Sequence, residues 1–268
     1  MEEAMACKTD SGEAAFWWLG QSGFLIKLGN TLLCIDAYFE NDFHRLHPPL
    51  LLANELADVD YVLGTHDHVD HIDRTSWAII ADACPATNFI VPSMHIGVLT
   101  EATGIKRNRF IGLDDGAPPF EKDGIAIYGI PSAHEFLDRD PQTGCHPYLG
   151  YIVKGNGVTL YHSGDSLIYE GLEAKLRQHA PLDIMFLPIN GRDGVRYRAN
   201  CIGNMTFQEA VDLTGALHPG LAVPSHYDMF AGNLANPFDY TDYLEAKFPD
   251  IPFWVGGHGV KVLYSRKG

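Results

Sequence analysis

The chain is poor in positive charge: 19 Lys and Arg stand against 34 Asp and Glu, a formal net charge of -15 over 268 residues. Such a surface repels the nucleic-acid backbone and anionic lipid, so neither is expected as a partner. Cysteine is sparse as well. Cys7, Cys34, Cys84, Cys145 and Cys201 are odd in number and form no Cys-x-x-Cys pair, which argues against a disulfide framework and for a reducing compartment. No apolar run is long enough to span a bilayer. The opening "MEEAMACKTDSGEA" is acidic and lacks the apolar centre of a signal peptide. There is no linker rich in Pro, Gly or Ser and no short-period repeat. These absences leave a cytoplasmic enzyme or binding protein built as one domain over residues 1–268, with 1–13 expected as a flexible tail and self-association left open.

What is present is ordinary globular material, 46% hydrophobic and 20% charged. Short apolar runs bounded by turns predict strands at "AFWWLG", "GFLIKLG", "TLLCIDAYF", "VDYVLGT" and "NFIVP". "GIAIYGIP", "YLGYIVKG", "GVTLYHSGD", "LDIMFLPING", "GLAVPSH" and "IPFWVGG" read the same way. Helical spacing predicts helices in "RTSWAIIADAC", "SMHIGVLTEAT", "LIYEGLEAKLRQHA", "MTFQEAVDLTGAL" and "DYTDYLEAKF". Ser93 is a candidate cap for the second of these, and Thr206 with Glu209 forms a capping box at the fourth. Strands mixed with strand–helix alternation in both halves fit helices packed outside two sheets, a layered α/β sandwich. Phe16, Trp17 and Trp18 are expected in the core.

Polar clusters recur where apolar strands end. The densest is "GTHDHVDHID", residues 64–73. With 13 histidines in the chain, His-x-His-x-Asp-His arises by chance in roughly one such sequence in 400. His66 and His68 alternate, so an extended segment points both imidazoles the same way. Asp70 and His71 follow where the chain turns, and aim at a neighbouring point. Two donors to each of two sites under-ligate a metal, and later strand ends offer the rest. His134 in "PSAHE" can join His66 and His68, His226 in "PSHYD" can join Asp70 and His71, and Asp165 in "HSGDS" can bridge. Imidazole and carboxylate suit zinc, manganese or iron. His95, His162 and His179 are read as structural or exposed, and His258 as a tucked turn histidine.

The motif with its later His, Asp and His resembles the metallo-β-lactamase superfamily, over nearly the whole chain. "FWWLGQSGFLIK", "THDHVDHID", "LYHSGDS" and "GNMTFQEAVDL" with "VPSHYDMFAGN" are similar to its L-ascorbate-6-phosphate lactonase branch, the UlaG-like proteins. The resemblance implies a four-layer αβ/βα sandwich with two divalent metals between the sheets. It implies His66, His68 and His134 on one metal, Asp70, His71 and His226 on the other, and Asp165 between them. Asp36, ending "LLCID", matches the acidic residue that supports the metal loop. His134 departs from the aspartate that lactonases can carry there and lies nearer the general superfamily pattern.

Two metals sharing a water can hold it as hydroxide near neutral pH, for attack on an ester, lactone or phosphoester. Asp70 and Asp165 are the candidate catalytic carboxylates, with Asp70 orienting the nucleophile or relaying a proton. Ser166 is expected to hydrogen-bond beside Asp165. Arg192, Arg196 and Arg198 are the densest positive run and suit a phosphate or carboxylate on a small anionic substrate. Asn204, Tyr227 and Asp228 are candidates for the same cleft. The leading expectation is a lactonase on a sugar-phosphate-like substrate, with a phosphodiesterase and a non-catalytic metal or ligand sensor as alternatives.

Overall fold

Side chains of the first strand, β1 (Glu13–Gly20), alternate between two destinations. Ala14, Phe16 and Trp18 enter one core, while Ala15, Trp17 and Leu19 enter another. The split continues through β2 (Gly23–Leu28), β3 (Thr31–Ile35), β4 (Tyr61–Leu63) and β5 (Asn88–Pro92). Ile26, Leu33, Leu63 and Ile90 face the first core, and Leu25, Cys34, Val62 and Phe89 the second. Successive strand residues point to opposite faces, so a sheet apolar on both faces must be covered twice. The second core is closed by α1 (Glu2–Ala6), α2 (Arg74–Ala83) and α3 (Ile96–Thr103), through Ala4, Trp77, Ile80 and Leu99.

The first core is shared with a second sheet. This is a computed structural model describing residues 1–266, and its strands form two sheets. β6 (Phe110–Leu113) ends the first. The second contains β7 (Phe120–Lys122), β8 (Ile125–Pro131), β9 (Leu149–Gly155), β10 (Val158–His162), β11 (Ile184–Pro188) and β12 (Leu221–Ser225). Its outer face is covered by α4 (Leu172–Arg177), α6 (Phe207–Leu217) and α7 (Pro237–Lys247), while α5 (Gly194–Arg198) sits in the loop between β11 and α6. β13 (Lys261–Ser265) returns to the first sheet beside β1, so the orders are β13-β1-β2-β3-β4-β5-β6 and β12-β11-β10-β9-β8-β7. Parallel neighbours need a crossover, and the helices supply it: α2 between β4 and β5, α3 between β5 and β6, α4 between β10 and β11, α6 between β11 and β12. The result is the expected four-layer α/β sandwich in a single domain. No helix among the described residues is long and apolar enough to cross a membrane.

Local signals held where they were chemical. Thr206 and Glu209 form the capping box of α6. Several expectations need correction. Residues 1–13 do not hang free: Ala4 is buried, Glu3 accepts from Trp17 Nε1 at 2.9 Å, and Thr9 Oγ1 accepts from Gly29 N at 2.7 Å. Ser93 begins a 3-10 turn, and α3 starts after His95 without a side-chain cap. The helix expected from residue 167 begins only at Leu172, because Gly171 at φ 95° breaks the run. "IPFWVGG" is not a strand. Phe253 makes one bridge to Ala222, after which the chain leaves to reach the opposite sheet as β13, a strand the sequence reading missed.

Candidate metal centre

β3 and β4 run parallel in the first sheet, as do β10, β11 and β12 in the second. β8 points the same way as β10, since both are antiparallel to β9. Their C-terminal ends therefore reach one edge of the sandwich, where Asp36, His66, His134, Asp165 and His226 leave β3, β4, β8, β10 and β12.

There the side chains form three overlapping groups: His66, His68 and His134; His66, His71 and Asp165; Asp70, His71 and His226. In each group the donor atoms lie within 4.8 Å of one another. His66 Nε2 and His68 Nδ1 are 2.9 Å apart, and His66, His71, His134, Asp165 and His226 are buried while His68 lies on the open side. Asp165 is the hub. One oxygen is 3.3 Å from His71 Nε2, the other 3.1 Å from His226 Nε2 and 3.6 Å from His134 Nε2. Asp70 Oδ2 lies 3.6 Å from His71 Nε2 and 3.7 Å from His226 Nε2. His71 Nε2 and Asp165 Oδ1 are buried and make no hydrogen bond. Buried polar atoms rarely go unpaired, and a divalent cation between them satisfies both.

The surroundings fix the donors. Asp36 accepts from Thr65 N at 2.8 Å and Thr65 Oγ1 at 2.6 Å, and lies 2.7 Å from His71 Nδ1. A proton on that Nδ1 leaves the Nε2 lone pair for a cation. Ser166 Oγ accepts from Ala133 N at 3.1 Å and donates to Leu167 O at 2.9 Å, tying the Asp165 turn to the His134 turn. Burial, then the neighbouring His71, pushes the His66 pKa well below 6.5; burial foremost also lowers His68 and His134. All three rings are thus held neutral, as ligands must be. Burial opposes charge on Asp165, yet His226 and His71 outweigh it and hold the carboxylate well below 3.8.

The arginine loop is placed differently from the cleft-lining role expected of it. Arg192 spends both terminal nitrogens on Glu209 at 2.6 and 2.7 Å. Arg196 donates to the carbonyls of Asn190 and Leu234 and pairs with Asp193. Arg198 stays exposed. Tyr227 belongs to the apolar core, its ring 5.0 Å from that of Trp18. Asn204 is fully buried beside the Asp165 turn, since Met205 N donates to Ser166 O, and both its amide atoms are unpartnered. His162 is a structural histidine, buried against Ser22 O, and His258 is half-buried, 2.5 Å from Asp228 Oδ2. One site residue escaped the sequence reading. Gln21, in the β1–β2 turn, places Nε2 2.9 Å from Asp70 Oδ2 and 3.1 Å from His226 Nε2. Its only local signal was a turn.

Protons and cations compete for these nitrogens. Burial disfavours charge on His71, but Asp165, Asp70 and Asp36 outweigh it and raise its pKa well above 6.5. In the metal-free protein that charge contributes stability fully present below about pH 6.5 and lost as pH rises through the raised folded-state value. A cation needs the deprotonated ring. Stabilisation by added Zn2+ is therefore expected to grow from about pH 6 to about pH 8, which paired melting curves with and without metal will check.

Comparison with known proteins agrees with this arrangement. Residues 31–227 match the family described as the Beta-lactamase superfamily domain. A UPF0173 metal-dependent hydrolase of Caldivirga maquilingensis is 28% identical over 239 residues, covering 89% of this chain and 92% of that protein. One from Pyrococcus horikoshii is 29% identical over 229 residues, covering 83% and 88%. Among solved structures, Igni18, a metallo hydrolase from Ignicoccus hospitalis, superposes with a TM-score of 0.75 at 21% identity, covering 95% of this chain and all 100% of that one. An isothiocyanate hydrolase from Delia radicum gut bacteria gives 0.70 at 18%, covering 94% and 100%. At these identities the two structures share the fold.

Proposed function

The chain belongs to the β-lactamase superfamily domain family, and on that premise we propose that it is a metal-dependent hydrolase working from the strand-end cluster. The observation that carries the reading is Asp165. One carboxylate lies 3.1–3.6 Å from imidazoles of both sets, as a group shared by two cations must. His66, His68 and His134 would hold one cation, and Asp70, His71 and His226 the other. Zinc, manganese and iron all suit these donors. The description of the relatives as metal-dependent hydrolases supports the reaction class.

Divalent cations held by these residues would acidify a water and polarise an electrophile. The protein's own contribution is placement. Asp36 and Thr65 set the His71 ring, Ser166 ties two ligand turns together, and the buried walls keep bulk water from the donors. Asp70, 17% exposed at its side chain, faces the open side and is placed to receive the proton that attack releases. We propose a lactone or ester as substrate, an anionic sugar-phosphate lactone such as L-ascorbate 6-phosphate being the class the likeness to the lactonase branch favours. The five free thiols suit a cytoplasmic setting.

Arg192 is paired with Glu209 at the surface and Arg196 with Asp193 and two backbone carbonyls, so we propose exposed Arg198 as the arginine of this loop that meets a substrate anion. Arg198→Ala is expected to raise KM for a phosphorylated lactone by about tenfold, the worth of a charge-assisted contact, and to leave a neutral lactone unchanged. The reading itself is tested by loading the protein with Zn2+, Mn2+ or Fe2+ and offering phosphorylated lactones, neutral lactones and bis-p-nitrophenyl phosphate. Preferred turnover of a lactone supports it. A preference for the phosphodiester moves the electrophile to phosphorus, and tight metal binding without turnover of any substrate makes the protein a sensor.

A further inference from the structure

Gln21 occupies a costly position. Its φ is 53°, in the left-handed region that strains a residue with a Cβ and is open to glycine. Its backbone is nonetheless held from three sides. Gln21 N donates to Asp228 Oδ1 at 2.9 Å, while its carbonyl accepts from Trp18 Nε1 at 3.0 Å and His226 N at 2.9 Å. The side chain is 1% exposed and is aimed at the metal cluster. Its terminal group stands 2.9 Å from Asp70 Oδ2 and 3.1 Å from His226 Nε2, and its other terminal atom, Oε1, is buried with no partner.

Those spacings carry the inference. Donors about 2.0–2.1 Å from one cation stand about 3.0–3.4 Å from each other. His71 Nε2 and His226 Nε2 each lie 3.1–3.7 Å from an oxygen of Asp70 and of Asp165, and the Gln21 terminus, 2.9 Å from Asp70 Oδ2 and 3.1 Å from His226 Nε2, adds a further donor at the same spacing. The Gln21 terminus now stands against His226 Nε2, the atom a cation there would take, so side chain and cation meet at one place. A half-turn of the carboxamide exchanges oxygen for nitrogen at the same point, and a cation favours the oxygen.

We propose that Gln21 is a further ligand of the second cation, through Oε1, beside Asp70, His71 and His226. This rests on the dinuclear reading above. It makes the β1–β2 turn part of the metal centre, although that turn lies outside the metal motif. The freed NH2 then takes the place where Oε1 now lies and can donate to a bound water. A neutral oxygen adds a donor without adding charge, which suits a six-coordinate ion better than a closed tetrahedral one.

The test is Zn2+ titration against a chromophoric chelator, with Co2+ absorption spectra and melting of the metal-free protein, for wild type, Gln21→Gly and Gln21→Glu. Gln21→Gly should weaken one of two Zn2+ sites by about tenfold or more and leave the other unchanged. Its Co2+ absorption should intensify as coordination number falls. Its metal-free melting temperature should change little, the backbone strain that glycine relieves offsetting the buried side chain it removes. Gln21→Glu, which keeps an oxygen, should restore the affinity. Wild-type affinities and spectrum in Gln21→Gly, or no recovery in Gln21→Glu, would overturn the ligand role. Wild-type protein taking up fewer than two Zn2+ would instead overturn the dinuclear reading beneath it.

Discussion

Replacing Asp165 by alanine is expected to strip the centre of both cations and lower hydrolysis by at least about a thousandfold, on the order of 4 kcal/mol of transition-state stabilisation. The size follows from its position. Among the described residues it is the one carboxylate within 3.6 Å of His71, His134 and His226 together, so no other described carboxylate can hold the two donor sets in register. The fold should survive, because the apolar clusters that build it include none of the ligands. Nor is a buried charge abandoned. The proton on His71 depends foremost on Asp165 among its neighbours, so the ring can revert to neutral when the carboxylate goes. Elemental analysis of bound metal, far-ultraviolet circular dichroism and turnover of the preferred substrate test this together. Full metal content in the variant would remove Asp165 from the centre.

The second large effect comes from a residue that touches no cation. Gly164 has φ 58°, and a Cβ there would fall 2.7 Å from both Thr65 Cβ and Thr65 Oγ1 and 3.0 Å from Leu149 O. Gly164→Ala meets two costs: about 1–2 kcal/mol for the left-handed backbone and about 1–3 kcal/mol for overpacking. The melting temperature should fall by on the order of 10 °C. The clash is aimed at Thr65, which fixes Asp36, which in turn fixes His71. Zn2+ affinity should therefore fall even in the folded fraction. Melting and chelator competition are the measurements, and unchanged affinity in a destabilised variant would break the proposed link from Gly164 to His71.

The sequence announced those parts of the molecule whose physics is local. Short apolar runs bounded by turns mark most strands, Thr206 and Glu209 mark a helix start, and the His and Asp residues of "THDHVDHID" fall at one strand end. What stayed hidden depends on partners far along the chain. Arg192 looks free in its own loop, yet Glu209, already identified as half of a capping box, neutralises it from α6. Gln21 reads as a turn residue because nothing nearby marks Asp70 and His226 as its neighbours. "IPFWVGG" has strand composition, but composition carries no information on where the chain must go next. The strand it displaced, β13, has an exposed–intermediate alternation with few buried groups to reveal it.

That last strand has a consequence for how the protein is made. Trp17 and its neighbours in β1 pair with residues 261–265, so the opening strand waits for nearly the whole chain before its outer edge is covered. During synthesis β1 through β6 can form early, but one edge of that sheet stays open and aggregation-prone. His226 likewise arrives late, long after the loop carrying Asp70 and His71 has left the ribosome. A nascent chain released before residue 226 brings His66, His68 and His134 together but lacks the group of Asp70, His71 and His226. Capture of a cation by the proposed second site would thus report that the chain has been made through β12, while β13, the cover of the β1 edge, still has to follow.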